Sequence, residues 1–260
     1  MLHLSPLAYA MLFLAGVAAS ILGSIVGLGG GFVVVPTMRI AFSVGPAIAA
    51  GTSLVYVLAN VLGATIGYSR QRLIDYRLGW TIAIGAIPAS IAGVFALRFF
   101  SPTGFDVAYG TMLVGLGILT LRRRRAGPSA TEAAAPFARS VPLAVGAGVL
   151  IGLASSIFGI GGGFVMVPLF LVLARMKPHV VSATSSFVVL LTAPFGVAAH
   201  IAAGHVSMGF AIPLVAGGLV GGTIGPQIAK RLSGRGIITL LAIVLFLAAA
   251  LLAIRHLFER

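Results

Sequence analysis

One unusual stretch occurs twice in this sequence, as Ser24-Ile-Val-Gly-Leu-Gly-Gly-Gly-Phe-Val-Val-Val-Pro36 and as Ser156-Ile-Phe-Gly-Ile-Gly-Gly-Gly-Phe-Val-Met-Val-Pro168, an offset of 132 residues. Glycine costs a helix about 1 kcal/mol relative to alanine, so three in a row before a short apolar run mark a helix break. A break leaves N–H groups without an intrahelical acceptor beside the positive end of the next helix. Donors and a positive helix end together can hold an anion without a formal cation. The candidate ligands are Ser24, Gly27, Gly29, Gly30 and Gly31 in the first copy and Ser156, Gly159, Gly161, Gly162 and Gly163 in the second. Close helix packing on small residues is the competing explanation, and it suffices for the isolated Gly85, Gly93, Gly217 and Gly225. Neither run is followed by the Lys-Ser/Thr of a nucleotide-phosphate loop.

Thr52, Ser53 and Asn60 are matched at the same offset by Thr184, Ser185 and Thr192. Residues seven apart share a helix face to within about 20°, so Ser53 with Asn60, and Ser185 with Thr192, form polar stripes. Such stripes line a substrate path or join helices by hydrogen bonds. The Asn60 amide favours the path, because its own helix cannot satisfy it. His200, near the end of an apolar run, is either a proton carrier or a solvated ring at the membrane boundary. His200 and His205 lack the spacing and the glutamate of a zinc helix, so no metal is expected, and no cofactor. The four acids fall in loops (Asp75, Glu132), at a helix start (Asp106) and in the tail (Glu259). Cation coupling, which uses carboxylates inside the membrane, is disfavoured. With no cysteine and no nucleophile-base set, an enzyme is not expected.

The elements that would position these residues are transmembrane helices. The 260 residues are 59% hydrophobic and 8% charged, with a mean hydropathy of +1.14, against about 25% charged residues in a soluble domain. The cations sit in short clusters between apolar runs, which excludes a nucleic-acid-binding face. Eight runs approach the roughly 20 residues that a spanning helix needs: Leu7–Gly27, Ala47–Tyr68, Trp80–Phe100, Phe105–Leu121, Val141–Gly159, Ser182–Ala203, Ser207–Lys230 and Ile237–Ile254. Phe32–Phe42 and Phe164–Ala174 are shorter and follow the glycine runs. The repeat divides the chain into a first half (1–121), a basic cytoplasmic linker (122–140) and a second half (141–260).

If only the long runs cross, the cations divide almost evenly between the two sides. If the short runs also return the chain, all 17 Lys and Arg except Arg39, Arg98, Arg255 and Arg260 fall on one side, as the preference of cations for the cytoplasm requires. Each half then has five segments, the halves are inverted, and both termini lie outside a cell membrane. The expected architecture is an all-α polytopic membrane protein of two inverted five-segment halves. In such folds the two breaks approach each other near the midplane, where substrate binds.

The paired GxGGGFxxVP motif, one copy per half, resembles the sulfite exporter TauE/SafE family, and the resemblance covers essentially the whole chain. It implies a membrane transporter of sulfur-containing anions such as sulfite, thiosulfate or organosulfonates, often an exporter. On the residues alone, an uncoupled anion channel, a permease for a carboxylate or another small anion, and a membrane scaffold remain open. The partners expected are the anion and the bilayer, with a homodimer possible.

Overall fold

The computed structural model describes residues 5–125, 140–172 and 176–258. These form α1 (Pro6–Val26), α2 (Gly31–Ala41), α3 (Pro46–Arg70), α4 (Tyr76–Ala96) with a 3₁₀ turn (Leu97–Phe99), α5 (Pro102–Arg125), α6 (Val141–Phe158), α7 (Gly163–Val172), α8 (Pro178–Ala202), α9 (Met208–Ala229) and α10 (Gly234–Phe258). The described residues contain no strand. Helix is the structure lipid demands, since it satisfies backbone N–H and C=O groups within one segment. Among the described residues, eight helices are long and apolar enough to cross a membrane, and α2 and α7 are the two short ones. The basic run continues α5 through Arg125, so the linker expected at 122–140 begins as helix. Residues 126–139 lie outside the described residues.

Helix ends follow local chemistry. Proline occupies the first position of α1, α3, α5 and α8, where its missing N–H costs nothing. Asp75 Oδ1 accepts the Leu78 N–H at the start of α4. The repeat recurs in the caps: Ser101 Oγ accepts from Gly104 N–H at 3.0 Å before α5, and Ser233 Oγ from Gly236 N–H at 3.1 Å before α10.

Glycine contacts fix the relative directions of the helices. α1 runs parallel to α9, with Gly217 against Phe13, Gly221 against Val17 and Gly225 against Ser24. α3 also runs parallel to α9, with Gly218 against Tyr56, Gly222 against Asn60 and Gly67 against Pro226. Because α1 and α3 point the same way, α2 must return the chain between them. α4 is likewise parallel to α6, with Gly85 against Val145 and Gly93 against Leu153. The isolated glycines are therefore packing residues.

The matched helices α3 and α8 are antiparallel. Thr52, early in α3, accepts the Ser207 N–H beyond the end of α8, and Thr184, early in α8, accepts the Asp75 N–H beyond the end of α3, both at 3.0 Å. Equivalent helices running in opposite directions make the two halves inverted, as the charge distribution suggested. The halves also interleave, since α1 packs most extensively on α9 and α6 on α4.

Candidate functional site: two crossed helix breaks

α1 ends in Gly27 at φ +79° and α6 in Gly159 at φ +67°, and Gly29, Gly30 and Gly161 are also left-handed at +79° to +81°. Only glycine adopts this backbone without strain. Gly162, which matches Gly30, is not left-handed, so the two copies differ in detail. The Leu28 and Gly29 N–H groups turn back to Gly23 O at 2.7 and 3.4 Å, and Gly159 N–H to Ser155 O at 2.9 Å. The N–H groups of Gly30, Gly31 and Phe32, and those of Gly162, Gly163 and Phe164, meet no acceptor among the described residues.

The two breaks touch. A Cβ on Gly31 would stand 2.7 Å from Gly159 O, and one on Gly163 would collide with Gly27 O. Val57 Cγ1 packs across both, 2.8 and 2.7 Å from where Gly29 and Gly161 would carry a Cβ. Val57 lies about 17 Å from the start of α3, a helix of about 37 Å at 1.5 Å per residue, so the crossing is close to halfway through the bundle. Residues 27–31 and 159–163 are all buried. The arrangement is occluded, with the N-terminus of each short helix facing the terminal carbonyl of the opposite half.

Side chains at the crossing are not bonded symmetrically. Ser185 Oγ donates to Gly27 O at 2.7 Å. Ser53, its match, is fully buried and its hydroxyl has no partner. Ser156 Oγ, Ser182 Oγ and Asn60 Oδ1 are also buried without partners. Asn60 Nδ2 donates to Ser20 O at 2.9 Å and Ser20 Oγ at 2.6 Å, so half of this amide joins α3 to α1. Thr52 and Thr184 hold loops of the opposite half, as described above. Ser24 Oγ and Thr192 Oγ1 donate to the carbonyls of Ser20 and Val188 in their own helices.

His200 is fully buried, which corrects its reading as a solvated boundary ring. Its Nε2 is 3.0 Å from Ser156 O and must carry the hydrogen, because a carbonyl only accepts. Its Nδ1 is 3.2 Å from His205 Nδ1. His205 lies beyond α8, where partial burial holds its pKa below the ordinary histidine value. Tyr68, the match of His200, donates to Ser24 O at 2.8 Å. Each ring thus serves a last-turn carbonyl that a helix end leaves unmet.

Asp106 does not start its helix: α5 begins at Pro102, and the carboxylate is buried against Arg39 at the end of α2. Ser20 and Ser182 escaped sequence reasoning because their matches, Gly152 and Ala50, carry no polar group. The Tyr68 and His200 pairing was the available signal, since both positions hold polar rings.

A model of the family described as Sulfite exporter TauE/SafE matches residues 12–252. The probable membrane transporter protein YunE of Bacillus subtilis is 29% identical, over 97% of this chain and 100% of its own length. A probable membrane transporter protein of Xylella fastidiosa is 30% identical, over 79% of this chain and 80% of its own. Sulfite exporter TauE/SafE family protein 3 of Arabidopsis thaliana is 32% identical over 39% of this chain and 22% of its own.

Proposed function

This chain belongs to the sulfite exporter TauE/SafE family of multi-pass membrane transporters, and from that premise we propose that it exports small sulfur-containing anions such as sulfite, thiosulfate or organosulfonates by alternating access. One observation carries the site: two inverted helix breaks cross close to halfway through the bundle, with unmet N–H groups at the starts of α2 and α7 and a buried, unpartnered Ser53 hydroxyl beside Gly31. Oriented donors in a water-excluded place bind oxyanion oxygens strongly. Ser53, Ser156 and the N–H groups of the breaks are the ligands in this reading, with Thr52, Thr184, Ser185 and Asn60 holding the frame.

The expected location is the inner membrane with both termini outside. Export is downhill electrically, by about 2.3 kcal/mol per charge per 100 mV in a cell that is negative inside. A proton exchanged with the anion would pass through His205 and His200, whose ring nitrogens meet. Neither a cofactor nor catalysis enters this reading.

Efflux from proteoliposomes loaded with sulfite, thiosulfate, a sulfonate, sulfate or a carboxylate tests it. Saturable efflux of the sulfur anions, accelerated by the same anion on the opposite side, is expected. Flux that neither saturates nor countertransports identifies a channel, and preference for the carboxylate overturns the substrate class. Gly30→Leu and Gly162→Leu should abolish flux while the protein still inserts, and flux retained in both removes the glycine site.

A further inference from the structure

We propose that the groove between the C-terminal ends of α3 and α9 binds the phosphate headgroup of an anionic phospholipid. Its volume is about 560 Å³, and its lining includes Arg70, Lys230 and Arg231 at the rim with Gly63, Gly67 and Ile66 below. Arg70 ends α3, and Lys230 and Arg231 follow α9, so all three cations stand at one end of the bundle and all are exposed. Gly67 and Gly63 lie about one and two turns below Arg70, and exposed Ile66 continues the wall. Cations above and a glycine-floored apolar channel below match the order of headgroup and acyl chain in a lipid. Thr223 and Gln227 donate to carbonyls of their own helix, which leaves the three cations as the headgroup donors.

The inverted repeat supplies an internal control. At the offset of 132 residues, Gly63, Gly67, Arg70 and Gln71 become Phe195, Ala199, Ala202 and Ala203, and Thr223, Gln227 and Arg231 become Ile91, Phe95 and Phe99. Lys230 alone keeps its charge, as Arg98, which stacks on Phe99 at 4.8 Å. The same backbone thus builds an apolar surface at the other end of the bundle, so the fold does not require the cation cluster. Asp75, the acid of the adjoining loop, caps α4. The basic end is also the one whose charges place it toward the cytoplasm.

The test uses the full-length protein in neutral detergent with short-chain phosphatidylglycerol, short-chain phosphatidylcholine or inorganic phosphate as probes, read as a thermal shift and by native mass spectrometry. Phosphatidylglycerol is expected to raise the melting temperature and remain bound, with phosphatidylcholine and free phosphate doing neither. The triple variant Arg70→Gln, Lys230→Gln, Arg231→Gln should keep the lipid-free melting temperature and weaken phosphatidylglycerol binding by about tenfold or more. Arg98→Gln should bind as the natural protein does. Equal shifts from free phosphate, equal binding of phosphatidylcholine, or undiminished phosphatidylglycerol binding by the triple variant would each overturn the proposal. If the triple variant does not fold, Lys230→Gln alone replaces it, with a smaller loss expected and unchanged binding counting against the site.

Discussion

Ser53 and Ser185 occupy matched positions with opposite bonding, and that asymmetry separates a ligand from a structural bond. Ser185→Ala strips a buried carbonyl, Gly27 O, of its donor, which is expected to cost about 1–3 kcal/mol in unfolding measured in detergent. Ser53→Ala removes a hydroxyl that holds nothing. Its stability should be unchanged, while the half-saturating anion concentration for efflux rises by about tenfold, as for one lost hydrogen bond to a charged group. Equal destabilisation by both variants would make Ser53 structural. His200 can be separated in the same way: His200→Gln retains an N–H donor for Ser156 O but cannot titrate. Its stability should stay close to that of the natural protein, and the efflux rate should lose its dependence on pH. A pH profile identical to that of the natural protein would confine His200 to capping α6, as Tyr68 caps α1.

At the level of elements, the first half contains a device that the second lacks. Arg39, at the end of α2, donates to both Asp106 oxygens at 2.9 and 2.6 Å and to Val44 O at 2.8 Å, tying α2, the following loop and α5 together. The matched positions are Leu171 and Ile238, both buried, so the second half carries apolar side chains where the first carries the ion pair. Arg39→Leu alone strands a buried carboxylate and should cost about 3–5 kcal/mol, whereas the double variant Arg39→Leu, Asp106→Ile should recover most of that loss. Thermal unfolding of the two variants checks this, and a double variant as unstable as the single would refute the equivalence of the junctions. The sequence made the helices legible because apolar length and glycine runs act locally. The Tyr68 and His200 pairing is legible for a similar reason, since the offset of 132 residues places a polar ring at both positions. The Arg39–Asp106 pair was hidden because its partners are 67 residues apart and absent from the second copy. The Ser20 bond to Asn60 was hidden because Gly152 stands at the matching place. Such contacts exist only once the helices are assembled.

Across the whole molecule, sequence repeats and packing units do not coincide. α1, α3 and α9 form one glycine-packed group and α4, α6 and α8 another, each drawing helices from both halves. α3 meets α8 along the bundle axis, and the two breaks cross beside them. If access alternates, these mixed groups are the bodies that rock, because their internal contacts bring backbone against backbone and leave no room to slide. The antiparallel pair α3 and α8 also gives a direct test of placement in the membrane. The loop after α3 and the loop after α8 lie at opposite ends of the bundle, and the chain contains no cysteine, so single thiols can be introduced without background. Arg72→Cys should react with a membrane-impermeant maleimide only in inside-out vesicles, and Gly204→Cys only in intact spheroplasts. That outcome places the Arg70, Arg72 and Arg77 loop in the cytoplasm and, through the odd number of crossings per half, both termini outside. The reverse pattern would invert the whole molecule, against the distribution of its cations, and labelling of both from one side would contradict the antiparallel pair itself.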